Sequence, residues 1–371
     1  MTPRILEDCI CKEVAAAHFF TAGFAETATE EGERLESLLT ERAKRANFHL
    51  IGPNCVGVFN PKVGVRQTDG QYTGVAGSVG LISQSGTHAV AFSIEAHLQG
   101  VDINKSVSFG NGAVLDSADY LEYFDSDADI KVIAMYLEGV KNGRRFLSVL
   151  REVSAQKPVV IWKGGRTKEG GRASASHTGS LAIPQTIWDA AVRQCGAIKV
   201  KSLEELIDAL KALLYLSPVC GSRLGIVGGS GGQAVAIADA FAEAAFEVPL
   251  LSQKSYNELA KFFTLIGGSY RNPIDTGNVN YKEMRRIMEI LEQDTNIDNL
   301  VLLVPWPGWR TPEQIESDIR LAINITKKAT KPIMAIVSYF SAAKHIQQAR
   351  DVALKLQDGG VPAFATFERG A

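Results

Sequence analysis

Short apolar runs of about four to eight residues alternate with amphipathic helical stretches along almost the whole chain, and no other feature limits its fold as tightly. From Gly77 the series runs strand VGLIS, a helix from Ser85 to His97, strand KSVSF, helix DYLEYF, strand KVIAMYL, helix RRFLSVLREV and strand KPVVIWKG. A glycine-rich loop is expected at Gly164 to Gly179, then helix PQTIWDAAVRQ, strand AIKV and helix SLEELIDALKALLYL. Pro218 and Gly221 in SPVCGSR break that helix and read as a linker. A second series follows, from strand RLGIVGG to strand PAFAT. Such alternation predicts α/β architecture, with two consecutive doubly wound, flavodoxin-like parallel sheets over 63–217 and 222–371. Residues 1–62 hold only helix, strand, helix and strand, too little for a doubly wound sheet, and read as the back half of a Rossmann-like domain.

Composition removes several function classes. Lys and Arg number 39 against 41 Asp and Glu, a net charge of −2 without a strongly basic stretch, so neither nucleic acid nor an anionic membrane is an expected partner. No apolar run approaches the roughly 18 residues of a membrane span. The five cysteines are scattered without a CxxC pair, which argues against a disulfide framework or structural zinc and for a reducing cytoplasm. The N-terminus carries acidic residues where a signal peptide would have an apolar core. Thirty-four glycines stand against 13 prolines, a ratio suited to strand-to-helix turns that approach a ligand.

In open α/β sheets ligands bind at the carboxyl ends of the strands. After VGLIS comes QSGT, where Ser85, Gly86 and Thr87 open a helix. They form either a plain N-cap or an anion site made of free amides, hydroxyls and the positive helix end. After VIAMYL comes Glu138, either a solvated strand end or the partner of a histidine. His177 supplies one, in a stretch of small and basic residues where an imidazole can act as a covalent nucleophile. The other five histidines, His88 among them, read as structural. No pair of histidines has metal-ligand spacing, and no metal is expected. In the second series GGSGG (228–232), NPIDTGN and PWPGWRTPE are carboxyl-end loops, and Gly308, Arg310 and Thr311 mark a helix start suited to a carboxylate or phosphoryl oxygen. Trp306 and Trp309 belong either to an acyl pocket or to core packing.

The runs TAGFAET, IGPNCVG, ISQSGT, SFGN followed by DYLEYF, YLEG and ASASHTGSLA occur here in the order found in the NDP-forming acyl-CoA synthetases, relatives of succinyl-CoA synthetase, which the chain resembles over essentially its full length. The resemblance implies an acid–thiol ligase that interconverts acyl-CoA, phosphate and NDP with acid, CoA and NTP through an acyl phosphate and a phosphohistidine. It assigns the phosphohistidine to His177, the supporting carboxylate to Glu138, and phosphate binding to Ser85, Gly86 and Thr87, with Gly308, Arg310 and Thr311 as a second helix terminus. CoA or acyl contacts fall to Gly23, Phe24, Glu26, Asn54, Cys55, Gly110 and Asn111. By the same resemblance the chain lacks the first half of the CoA-binding domain and the ATP-grasp domain. An ATP-grasp subunit carrying ADP or ATP with Mg2+ is therefore the expected partner, in an oligomer. The competing expectation is a non-catalytic acyl-CoA or acid-binding regulatory module, related to those fused to protein acetyltransferases.

Overall fold

The computed structural model describes residues 2–178, 184–219, 221–263, 269–277, 279–304, 311–338 and 343–371, with residues 175–178 described by their backbone alone. The chain divides into two compact units, Met1–Leu210 and Lys211–Ala371.

The first unit opens with α1 (Thr2–Cys11), β1 (Ala16–His18), α2 (Glu30–Arg45) and β2 (His49–Ile51), and β1 pairs with β2 in parallel. Helix α2 is set by its charges: the Thr29 side chain caps it, Glu30, Glu31 and Glu33 sit in its first turn, and Arg42, Lys44 and Arg45 in its last, each sign facing the opposite end of the helix dipole. Leu6, Leu39, Ala43 and Leu50 form a small core under this segment.

Next come β3 (Gly57–Phe59), β4 (Val79–Ser83), α3 (Gly86–Leu98), β5 (Ile103–Ser108), α4 (Ser117–Ser126), β6 (Val132–Leu137), α5 (Gly143–Ser154), β7 (Val159–Lys163), α6 (Lys168–Thr178), α7 (Gln185–Gln194), β8 (Ile198–Val200) and α8 (Leu203–Tyr215). Their sheet runs β3-β5-β4-β6-β7-β8, parallel except for β3. Without that antiparallel edge the order is 2-1-3-4-5, the flavodoxin-like doubly wound arrangement, and its switch point lies between β4 and β6. Every residue of β4 and β6 is buried, as a sheet covered on both faces requires. Helix α5 shows the complementary pattern, burying Phe146, Val149, Leu150 and Val153 along one stripe.

One expectation is corrected here. Residues 168–178, read from sequence as glycine-rich loop, form helix α6. The two glycines at 170 and 171 cost roughly 1 kcal/mol each against alanine. Thr167 offsets this by nucleating the turn: its Oγ1 accepts from the Gly170 amide at 3.0 Å and its carbonyl from the Gly171 amide at 2.8 Å. Gly165, at φ +67°, lets the chain double back after β7, and a side chain there would meet Ser174 Cβ at 3.2 Å.

The second unit contains β9 (Leu224–Gly228), α9 (Gly231–Glu243), α10 (Gln253–Leu259), α11 (Tyr281–Gln293), β10 (Asn299–Leu303), α12 (Pro312–Thr326), β11 (Ile333–Ile336), α13 (Ala343–Asp358), β12 (Ala363–Phe364) and α14 (Phe367–Gly370). Strands β9 to β12 pair in parallel in chain order. On the outer side of β9 no full strand is present among the described residues. Instead, Leu224 donates to the Glu247 carbonyl, Gly228 to that of Ile274, and the Ile274 amide to the Ile226 carbonyl. Asn272 of the NPID run completes the row, donating to the Leu224 carbonyl at 2.7 Å and accepting from the Ile226 amide at 2.9 Å.

Candidate functional site

The carboxyl end of β4 delivers Gln84 and Ser85 to the switch point. Ser85 caps α3, its Oγ accepting from the His88 amide at 3.3 Å, and Thr87 is exposed on the first turn. This helix therefore presents its amino end at the sheet's ligand-binding edge. Gly86 is fixed by packing: a Cβ there would lie 2.8 Å from Val56 of the IGPNCVG turn.

Glu138 stands one residue past β6, on the other side of the switch point. Gln84 joins the two, its Oε1 accepting from the Glu138 amide at 2.7 Å and the Gly139 amide at 3.0 Å. From the opposite neighbour, β7, the buried Lys163 donates to the Glu138 carbonyl at 2.7 Å and also to the Gly164 carbonyl. Burial pulls the Lys163 ammonium below its ordinary pKa, against the opposing pull of Glu138. The carboxylate is approached by two hydroxyls: Tyr136 donates to Oε1 at 3.3 Å, and Ser174 of α6 to Oε2 at 3.5 Å. His88 packs against Tyr136 and Trp162 with ring centroids 4.4 and 4.5 Å away. Burial lowers its pKa, Glu138 again opposing, so its imidazole is biased toward the neutral form.

His177 occupies the last turn of α6, three residues beyond Ser174; its side chain lies outside the described residues. Gly308 and Arg310, with Trp306 and Trp309, also lie outside them. Thr311 is the N-cap of α12 in the second unit: its Oγ1 accepts from the Gln314 amide at 3.3 Å, and its amide donates to Gln314 Oε1 at 3.0 Å.

Six of the seven residues assigned to CoA or acyl contacts converge in one polar cluster. Asn111 Nδ2 donates to Glu26 Oε2 at 2.5 Å, and its Oδ1 accepts from Asn54 Nδ2 at 3.3 Å. Glu26 Oε1 also accepts from the amides of Gly23 at 2.5 Å and Phe24 at 3.1 Å. Gly110 admits this arrangement because a Cβ would fall 2.1 Å from the Asn54 carbonyl oxygen. Burial pushes the Glu26 pKa up, but the bonds from Asn111 and the two amides outweigh it and leave the carboxyl below its ordinary value. The seventh, Cys55, is buried with Sγ 3.7 Å from the Phe19 carbonyl, and burial pushes its thiol up to about 11. Its thiol is therefore protonated at neutral pH. Helix α6 lies against the turn Ala25–Thr27, so the cluster and the helix bearing His177 are neighbours.

Sequence reasoning missed Gln84, Tyr136, Lys163 and Ser174, the cluster members Glu36 and Lys141, and set His88 aside. Glu36 Oε2 accepts from Asn111 at 2.7 Å and its Oε1 from Lys141 at 3.3 Å. A polar residue inside an otherwise apolar strand end, as in WK at 162–163, was the available signal. Among the described residues no cluster of three or more His, Cys, Asp or Glu could hold a metal ion, and no helix is long and apolar enough to cross a membrane.

Residues 76–213 match the succinyl-CoA ligase like flavodoxin domain. The acetate–CoA ligase [ADP-forming] II subunit alpha of Pyrococcus furiosus is 34% identical over 371 residues, covering 99% of this chain and 78% of the relative. The acetate–CoA ligase [ADP-forming] I of Archaeoglobus fulgidus is 38% identical over 367 residues, and the chain spans 50% of its length. Among solved structures, a dinucleotide-forming acetyl-coenzyme A synthetase 1 from Ca. Korarchaeum cryptofilum, in complex with phosphate and ADP, superposes with a TM-score of 0.85 at 29% identity, over 99% of this chain and 77% of that one.

Proposed function

Because the chain belongs to the family of ADP-forming acetate–CoA ligase alpha subunits, we propose that it is the subunit of an NDP-forming acyl-CoA ligase that makes and breaks an acyl phosphate and carries its phosphoryl group on His177. The observation that supports this most is the seat of Glu138. Its carboxylate stands at the switch point beside the amino end of α3 and meets Ser174 of α6, the helix whose last turn bears His177.

In the proposed reaction a phosphate oxygen attacks the thioester carbonyl, and the C–S bond breaks to release CoA as its thiolate. One imidazole nitrogen of His177 then attacks phosphorus; the N–P bond forms as the P–O bond to the acyl group breaks and the free carboxylate departs. The other ring N–H donates to Glu138, which fixes the tautomer and offsets the positive charge of the ring. Ser85, Gly86 and Thr87 bind the phosphoryl oxygens through amides and the positive end of α3. Gly23, Phe24, Glu26, Asn54, Cys55, Gly110 and Asn111 receive the CoA thioester. The nucleotide, with Mg2+, is bound by a partner of ATP-grasp type. Acetate is the first acid to test, since the P. furiosus and A. fulgidus relatives are named for it.

The test is phosphorylation by [32P]acetyl phosphate, which bypasses both nucleotide and CoA. The full chain acquires acid-labile, base-stable label, and His177→Ala acquires none. Equal labelling of the two, or no labelling of the wild type, overturns the proposal; the second result would favour a binding module without turnover.

A further inference from the structure

We propose that Tyr136 is a positioning residue that holds Glu138 Oε1, so that the carboxylate turns its Oε2 toward α6. This rests on the reading of Glu138 and His177 given above and extends it to a residue with no assigned role. Tyr136 and Glu138 are two positions apart on one line of chain, so their side chains leave the same face of β6 and its extension. That periodicity lets the phenol reach the carboxylate, and it does so at Oε1, 3.3 Å away, while Ser174 of α6 addresses the other oxygen, Oε2.

Two further observations show that the phenol is held there. Its ring is packed between His88, 4.4 Å away, and Trp162, 4.7 Å away, and only 8% of the residue is exposed. The chain also leaves room for the hydroxyl: a Cβ on Gly164 would come within 2.6 Å of Tyr136 Oη and 3.2 Å of Glu138 Cγ. Gly164, the residue after β7, therefore leaves the space that this pair occupies. Burial first, then the charge on Glu138, pushes the phenol pKa far above neutrality, so the hydroxyl is a permanent donor. A second hydroxyl at a carboxylate removes its rotational freedom, which a group that must orient an imidazole requires.

The experiment is a double-mutant cycle on the full chain, read by the initial rate of labelling from [32P]acetyl phosphate. Tyr136→Phe, which keeps the ring and its packing, lowers the rate about tenfold, the range of a lost hydrogen bond to a charged group, with little change in the acetyl phosphate concentration at half-maximal rate. In the Glu138→Gln background the same substitution changes the rate less than about twofold, because the hydroxyl no longer has a carboxylate to orient. A wild-type rate for Tyr136→Phe, or equal losses in both backgrounds, overturns the proposal. A binding readout independent of turnover accompanies it: the 19F resonance of 3-fluorotyrosine at position 136 shifts on Glu138→Gln but not on Glu152→Gln, and equal responses to both also overturn it. Failure of the underlying reading looks different, since the wild type would then acquire no label or His177→Ala would label like it.

Discussion

One oxygen of Gln84 accepts the amides of both Glu138 and Gly139, and through it a side chain joins the carboxyl ends of β4 and β6 beyond their ladder. Gln84 is only 9% exposed, so its loss strands two amides away from water. Gln84→Ala is expected to lower unfolding stability by about 1–3 kcal/mol in urea titrations and to slow labelling from [32P]acetyl phosphate more than tenfold. Gln84→Glu keeps an acceptor in place and retains most of both; equal losses in the two variants would show that the accepted amides are not what matters.

Lys163 performs the matching task from β7. Removing its ammonium takes a charged donor from the carbonyls of Glu138 and Gly164. Lys163→Met preserves the stem and is expected to cost about 1–3 kcal/mol and to slow labelling from [32P]acetyl phosphate. Unchanged stability and rate would refute that role.

Gly164→Ala tests the space beneath the loop. The added methyl meets the Tyr136 hydroxyl, so labelling is expected to fall about tenfold, with a melting temperature within a few degrees of wild type. In a Tyr136→Phe background the clash with the hydroxyl is gone, and the penalty on rate should shrink.

The Glu26 cluster predicts an acid-sensitive stability. Its carboxyl is held below the ordinary value, so the folded state gains from ionisation. That contribution is full above the unfolded carboxylate value of about 4.3 and is lost as pH falls through the lower folded value. Glu26→Gln should flatten the acid limb of the melting-temperature profile below about pH 5. His88, with its pKa lowered by burial, works in the same direction nearer neutrality. Acidification below about pH 6.5 favours the unfolded chain, and His88→Leu should remove that slope.

Much of this was legible from residues. The alternation from Gly77 onward specified the parallel sheet because β4 and β6, buried on both faces, are apolar through their interiors and carry Ser83 and Tyr136 only toward their carboxyl ends. The motifs around Ser85 and Glu138 were legible for a similar reason: strand ends are where polar residues interrupt apolar runs. What stayed hidden depends on distance along the chain. His88 is one turn into a helix, and its significance comes from Tyr136 and Trp162, which the β6–β7 pairing brings beside each other. Gln84 and Lys163 act on the backbone of Glu138, and a main-chain group leaves no mark in a sequence. Helix α6 was misread because its glycines outweigh, in propensity alone, a cap that Thr167 provides only once the chain has turned at Gly165.

Asn272 has a further consequence for the second unit. With the amide of Leu224 bonded to Glu247, its carbonyl to Asn272, the Ile226 amide to Asn272, the Ile226 carbonyl to Ile274 and the Gly228 amide to Ile274, the outward row of β9 from Leu224 to the Gly228 amide is paired with irregular chain. An open strand edge is a template for intermolecular pairing, and this one is closed by a side chain imitating a peptide. Asn272→Ala should therefore cost about 2–3 kcal/mol. It should also make the protein prone to assemble through β9, visible as concentration-dependent light scattering at temperatures where the wild type remains clear.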